Sequence, residues 1–263
     1  MTASAETRRA EIIATLERER YLKIAELSQR FGVSQMSIRR DLDQLEEQSL
    51  LRRVHGGLIA TPLLRLGLEI SPSFVAQIRD GFLEKEAIAR AATALVQPGD
   101  HLIFDSSALA YLIACSLRGD LLFQGDLTVI TNSLPVMLEL APWAGVETIL
   151  LGGEYQANHM MNLTGSRAYR SLEGLHADKM FISIDTIVNP DGVTISGDDA
   201  ELVQKMILAC VKVILLAIRG KIGRMEQIKF LPLSAGYTLI TNQGAPAELV
   251  SSLRSQGVEV LLA

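Results

Sequence analysis

The chain has 263 residues, 48% of them hydrophobic and 21% charged, which is the make-up of an ordinary globular protein long enough for two domains. No apolar run reaches the length of a membrane span. The charged stretch Met1–Arg20 lacks the apolar core of a signal peptide, so a membrane or exported protein is not expected. The net charge of −5 is unevenly spread: residues 1–60 hold ten Lys/Arg against nine Asp/Glu, so the acidity lies in the remainder. A local basic footprint on an acidic body suits a small nucleic-acid reader joined to a larger domain.

In chain order, Glu6–Arg18 spaces Ile12, Ile13 and Leu16 as one face of a helix. A short extended piece, Tyr21–Lys23, leads to a helix over Ile24–Phe31 that Gly32 stops, since glycine accepts the left-handed turn a C-cap needs. Ser34 is suited to cap a third helix, Gln35 to about Gln48, with Ile38, Leu42 and Leu45 as its inner stripe. Leu51–Ala60 reads as a hairpin around Gly56–Gly57. This order predicts a winged helix-turn-helix over residues 1–60.

Residues 61–83, with Pro62, Gly67, Pro72 and Gly81, read as a linker to a domain over 84–263. There strands alternate with helices: helix Glu84–Val96, strand His101–Asp105, helix Ala108–Leu117, strand Thr128–Thr131, helix Val136–Leu140 and strand Thr148–Leu151. Helix Leu163–Leu172, strand Lys179–Ile184, helix Ala200–Val211 and strand Val213–Ile218 come next. Strand Thr238–Thr241, helix Ala247–Gln256 and strand Val258–Leu262 complete the series. The pattern predicts a mostly parallel α/β sheet covered on both faces.

Two clusters carry chemistry. On the helix Gln35–Gln48, Met36 and Arg40 fall opposite the inner stripe, flanked by Ser37 and Arg39, while Asp41, Asp43, Glu46 and Glu47 make the second half acidic. A recognition helix enters the major groove by its N-terminal residues. Ser34, Gln35, Met36, Ser37, Arg39 and Arg40 are therefore the candidate base and phosphate contacts, with Arg53 and His55 on the wing. The plainer alternative pairs one arginine with Asp41 or Asp43. The second cluster is the set of polar or glycine positions just after apolar strands: Asp105–Ser106–Ser107, Asn132, Gly152–Gly153, Asp185 and Arg219–Gly220–Lys221. Ligands of open parallel sheets bind at such strand ends.

The run Val33 to Leu42 (VSQMSIRRDL), followed by Arg53–Val54–His55–Gly56–Gly57, resembles the DeoR family of bacterial repressors. The resemblance continues through Glu84–Lys85–Ile88–Ala89, Val129–Leu134 and Leu151–Gly153, and so covers essentially the whole chain. It implies a second domain like the ribose-phosphate isomerase and CoA-transferase-like α/β fold. It also implies repression of a sugar or nucleoside catabolic operon, relief by a phosphorylated or acidic sugar, and action on double-stranded operator DNA as a homo-oligomer, dimer or tetramer, in the cytoplasm at the nucleoid. Lys85, Glu201, Lys205 and Lys221 join the effector residues by this resemblance. Lys85 pairing with Glu86 or Asp105 is the plain alternative.

Two motifs depart from the family. The loop after the first strand, usually Asp-x-Gly-Thr-Thr, is here Asp105–Ser106–Ser107–Ala108–Leu109. The later Ala-Asp-x-Ser-Lys-Phe-Gly is here Ala217–Ile218–Arg219–Gly220–Lys221–Ile222–Gly223. A different anionic sugar derivative, or a site that has lost its ligand, both remain open. An isomerase-like enzyme using Asp105, Asp185, Glu201 and Lys221 is the rival class, disfavoured by the altered phosphate loop and the N-terminal reader. No cofactor is expected: no Gly-x-Gly-x-x-Gly follows a strand. His55, His101, His159 and His176 are too scattered for a metal site, and Cys115 and Cys210 read as reduced core thiols.

Overall fold

The computed structural model describes residues 4–19, 21–47, 51–54, 57–59, 71–117, 126–143, 145–156, 160–187, 192–194, 200–218, 230–233 and 235–263. The chain divides into two compact units, Met1–Ile70 and Ser71–Ala263.

The first unit contains α1 (Ala5–Glu19), β1 (Tyr21–Lys23), α2 (Ile24–Phe31), α3 (Gln35–Glu47), β2 (Arg52–Val54) and β3 (Gly57–Ile59). The three strands form an antiparallel sheet with β3 in the middle, Leu58 facing both Leu22 and Arg53. Local chemistry sets the helix ends. The Ser4 hydroxyl accepts from Thr7 N–H (3.1 Å) at the start of α1, and the Ser34 hydroxyl accepts from Ser37 N–H (3.2 Å) at the start of α3. Gly32 ends α2 with φ +61°, its N–H on the Gln29 carbonyl. Ile12, Leu16, Leu22, Leu27, Ile38, Leu42, Leu45, Leu51 and Leu58 make the core. Within it, Arg8 Nε donates to Asp41 Oδ2 at 2.6 Å, a buried ion pair that ties α1 to α3, with Arg9 at 3.5 Å on the other carboxylate oxygen.

The second unit begins with α4 (Pro72–Arg79) and α5 (Phe82–Thr93). Seven strands follow in one sheet: β4 (His101–Phe104), β5 (Leu127–Thr131), β6 (Val146–Leu150), β9 (Ala177–Ser183), β12 (Cys210–Ala217), β14 (Thr238–Thr241) and β15 (Glu259–Leu262). Their order is β15-β14-β12-β9-β4-β5-β6, and every neighbouring pair is parallel. The helices are α6 (Ala108–Leu117), α7 (Leu134–Leu140), α8 (Ser166–Ser171), α9 (Ala200–Leu208) and α10 (Ala247–Ser255). On one face Ile103, Met180, Ile182 and Leu215 pack with Ala168, Leu202, Met206 and Leu253 of α8, α9 and α10. Near the other face α5 packs against α6 and β14, and α6 against α7 and β9. The central strands are continuous apolar runs because both faces are covered.

The chain leaves β4 through β5 to β6 on one side, then returns past β4 to β9 and proceeds outward to β15. The direction of winding therefore reverses between β4 and β9. Smaller pairings surround the main sheet: β7 (Glu154–Gln156) with β8 (Asn162–Thr164), and β10 (Thr186–Ile187), β11 (Gly192–Thr194) and β13 (Phe230–Pro232) in a second sheet.

Two expectations are corrected. Residues 71–83, read as linker, form α4 and the start of α5; residues 61–70 lie outside the described residues. Phe74 and Ile78 are buried, and Phe74 meets Tyr111 of α6 edge to face at 5.6 Å. Pro72 sits at the first turn, where a helix needs no N–H from it, and Gly81 (φ +60°) makes the corner to α5. The helix expected over Leu163–Leu172 is instead β8 and the short α8, separated by Gly165 at φ +85°.

Phe74→Ala is expected to lower the unfolding free energy in urea by about 3–5 kcal/mol, as for a buried aromatic. A linker residue would change it by less than about 0.5 kcal/mol. Asp41→Ala leaves Arg8 buried and uncompensated. Native-state hydrogen exchange of the α1 and α3 amides is expected to quicken by about 100-fold or more, with exchange in the large sheet unchanged.

Candidate functional site

The outer face of α3 is laid out by its buried stripe. With Ile38, Leu42 and Leu45 inward, Ser34, Gln35, Met36, Arg39 and Arg40 are exposed and Ser37 is half-buried. Neither Arg39 nor Arg40 has an ion-pair partner among the described residues, whereas the carboxylates that follow them are paired. Asp41 is held by Arg8 and Arg9, and Asp43 by Arg53 (2.5 Å). The exposed N-terminal half of α3 thus keeps its positive charge. Arg53, expected to reach DNA from the wing, turns onto α3: its guanidinium also donates to the Arg39 carbonyl (3.0 Å) and lies 3.6 Å from Glu46. It fixes the hairpin against α3. His55 lies outside the described residues.

The strand-end positions converge around the reversal between β4 and β9. Asp105 Oδ1 accepts from the Ser107 hydroxyl (2.6 Å) and N–H (3.1 Å), and Oδ2 accepts from Ser183 N–H (2.8 Å), so one carboxylate spans the two strands. Ser107 also caps α6, accepting from Ala110 N–H at 3.1 Å. Asn132, after β5, donates its amide N–H to the Leu163 carbonyl (3.1 Å). Ser106 accepts from the amide of Asn162 (3.2 Å). Asp185 follows β9, its N–H on the Thr194 carbonyl (2.9 Å).

Other expected residues are used differently. The Lys85 ammonium donates to the Gln77 and Asp80 carbonyls, closing the C-terminal end of α4, where a cation also complements the helix dipole. Gly152 donates its N–H to the Ser171 hydroxyl (3.2 Å). Gly153 has φ +147°, and a Cβ there would meet the Thr164 carbonyl oxygen at 2.4 Å, so this glycine lets β8 approach. Glu201 and Lys205 are exposed on α9, with Lys205 6.0 Å from the ring of Tyr169. Arg219, Gly220 and Lys221 lie outside the described residues.

Sequence reasoning did not foresee the contact of Asn162 with Ser106 or the Arg8–Asp41 pair. Asn162 comes from β8, a three-residue strand too short to announce itself by alternation. The pair joins residues on two helices, 33 positions apart.

Burial pushes the Asp105 carboxyl up to about 6 from the ordinary 3.8; the hydrogen bonds from Ser107 and Ser183 oppose that shift, and the charge of Asp185 adds to it. A carboxyl that holds its proton more tightly when folded favours folding below pH 3.8. That advantage is lost as pH rises toward about 6. Urea unfolding of the wild type is therefore expected to show stability falling by about 2–3 kcal/mol between pH 4 and pH 7 relative to Asp105→Asn, whose own profile lacks this step.

Comparison with known proteins matches the model described as the DeoR-like helix-turn-helix domain to residues 8–61, and that described as the DeoR C terminal sensor domain to residues 82–243. The chain is 30% identical over 256 residues to a putative aga operon transcriptional repressor of Escherichia coli O157:H7, covering 97% of this chain and 93% of that one. It is 31% identical over 258 residues to the transcriptional repressor GlcR of Bacillus subtilis, covering 98% and 96%. To the transcriptional regulator UlaR of Salmonella arizonae it is 27% identical, covering 92% of each chain. Ribose 5-phosphate isomerase A of Methanocaldococcus jannaschii aligns with a TM-score of 0.40 at 12% identity, over 54% of this chain and 55% of that one. The relatives are regulators rather than enzymes, and the chain belongs to the DeoR family of DNA-binding transcriptional regulators.

Proposed function

We propose that this protein represses a carbohydrate catabolic operon by inserting α3 into the major groove of its operator, and that a small anionic sugar metabolite at the strand ends releases it. The observation that carries the reading is the charge layout of α3. Its inward carboxylate Asp41 is neutralised by Arg8 and Arg9, its outward Asp43 by Arg53, and Arg39 and Arg40 are left facing solvent. Ser34 and Ser37 stand at the helix N-terminus, where phosphate is favoured. The readers work in pairs within a homo-oligomer, at the nucleoid in the cytoplasm. Among the described residues no helix is long and apolar enough to cross a membrane.

The regulation we propose is a population shift: the metabolite favours one oligomer arrangement over another and so changes the spacing of the readers. Helix α4, the first element of the larger unit, supports this. The N–H of Ser71, just before it, lies on Met161 Sδ (3.5 Å), next to Asn162, and Phe74 packs on α6, the helix that Ser107 caps. A regulator with a degenerate effector site is the second reading. It is favoured by the loop after β4, where Asp105 and Ser107 engage donors that a phosphate would otherwise use.

Fluorescence polarisation with the intergenic DNA upstream of the neighbouring operon tests both. The wild type is expected to bind in a salt-dependent way, and Arg39→Ala/Arg40→Ala to lose affinity by at least about tenfold. Unchanged affinity in that variant refutes the role of α3. Titration with sugar phosphates and sugar acids separates the two readings: release by one compound supports a working sensor, and no release by any supports the degenerate one.

A further inference from the structure

Two buried amides at the strand ends each have a polar end left over. Asn132 is 4% exposed and Asn162 7%. Donation from Asn132 to the Leu163 carbonyl fixes that amide, because a carbonyl accepts only from the NH2 end; its oxygen therefore remains, and no donor among the described residues reaches it. Asn162 donates to the Ser106 hydroxyl and its own oxygen has no donor either. A hydroxyl can accept or donate, so turning the Asn162 amide would leave its NH2 over instead. The two residues lie on adjoining backbone: Ser133 bridges Asn162, and Leu163 N–H donates to the Asn132 carbonyl (2.8 Å).

Native proteins leave few buried polar atoms unsatisfied. Asn132 directly follows β5, and Asn162, the first residue of β8, reaches Ser106 just after β4, so both stand at the carboxyl edge of the main sheet, where ligands of such sheets sit. The backbone is also strained to place one of them. Met161 has φ +49°, a left-handed conformation unusual for a side-chain-bearing residue, and is held by Leu134 N–H on its carbonyl (3.2 Å) and Ser71 N–H on its sulfur. At the start of α6, Ser107 N–H already serves Asp105, and Ala110 N–H already serves Ser107. As oriented, the two leftover oxygens both accept and call for a donor; with the Asn162 amide turned, its NH2 calls for an acceptor, and a hydroxyl meets either.

We propose that Asn132 and Asn162 form a hydroxyl-reading subsite, which binds a polyhydroxy compound by its carbon-chain hydroxyls rather than by its charged group. The proposal rests on the effector reading above and narrows it: Asn162 is a specificity-determining residue, with Met161 and Gly153 positioning it.

Calorimetric titration of the full-length protein with D-glucose 6-phosphate, D-ribose 5-phosphate, D-sorbitol 6-phosphate and inorganic phosphate provides the test. At least one sugar derivative is expected to bind, with inorganic phosphate at equal concentration unable to compete. Asn162→Ala is expected to weaken that binding by about tenfold or more, and Asn162→Asp, which keeps an acceptor oxygen, to hold it within about threefold. Asn162→Ser replaces the alanine variant should circular dichroism show the latter unfolded. Equal affinity in the variant means an ordered water only and overturns the subsite. Competition by inorganic phosphate, or no binding by any of the three sugar derivatives, also overturns it. The same compounds in the DNA-release assay keep the two readings apart. Release that is alike in wild type and variant sinks the subsite alone; binding through Asn162 without release sinks the effector reading alone.

Discussion

A sheet whose seven strands all run parallel places every strand's carboxyl end on the same edge, and every return of the chain must be a crossover. That constraint determines where chemistry can gather. Because the winding reverses between β4 and β9, the chain leaves these two strands toward opposite sides of the sheet, the place where such folds bind ligands. Asp105 ties the two strand ends together, bonded on one side to Ser107 and on the other to Ser183 N–H. The carboxylate is buried for this purpose and carries the cost of burial as a raised pKa of about 6. The hairpin of β7 and β8 then folds back to bring Asn162 to Ser106, which the lack of a side chain at Gly153 permits.

The small unit solves a different electrostatic problem. The helix proposed to present arginines to DNA also carries Asp41, Asp43, Glu46 and Glu47, which would repel phosphate if left bare. Asp41 faces inward and is neutralised by Arg8 and Arg9 of α1; Asp43 and Glu46 draw Arg53 from the hairpin. Those ion pairs also hold the helix and hairpin against α3, so charge balance and rigidity come from the same contacts. The basic footprint seen in the composition therefore overstates the cations free for DNA: Arg8 and Arg53 are internal ties.

Most of the fold was legible because its signals are local. The apolar runs of β4, β9 and β12 and the capping chemistry at Gly32 and Ser34 each announce an element within a few residues. The whole order of the large sheet's strands and helices could be read this way. The strand ends, and with them Asp105, Ser106, Ser107, Asn132 and Asp185, followed from that order. What failed depended on contacts distant in sequence. Pro72 and Gly81 looked like linker punctuation, since nothing nearby shows that Phe74 would find Tyr111, 37 positions on. Lys85 looked like an anion ligand, since its bonds to the backbone carbonyls of Gln77 and Asp80 at the end of α4 are invisible to any side-chain pattern. Gly152–Gly153 looked like a strand-end ligand position, although the second glycine answers to a strand that returns eleven residues later.

The departure at Ser107 can now be weighed physically. The family pattern has glycine at this position, and Ser107 has no positive φ, so the backbone here does not need glycine. The side chain instead takes over work at the helix start: its hydroxyl caps α6 and donates to Asp105. An open cradle of backbone N–H groups favours an anion whatever its shape, whereas this self-capped loop withdraws two of those donors, Ser107 N–H and Ala110 N–H. Under the proposed reading, discrimination at this edge of the sheet then comes from groups that read shape and hydroxyl placement, the role proposed for the two buried amides. A charged end of the same molecule would have to be met elsewhere. On the proposed effector reading, loss of the family glycine shifts recognition from charge toward stereochemistry, because Ser107 N–H and Ala110 N–H are already engaged.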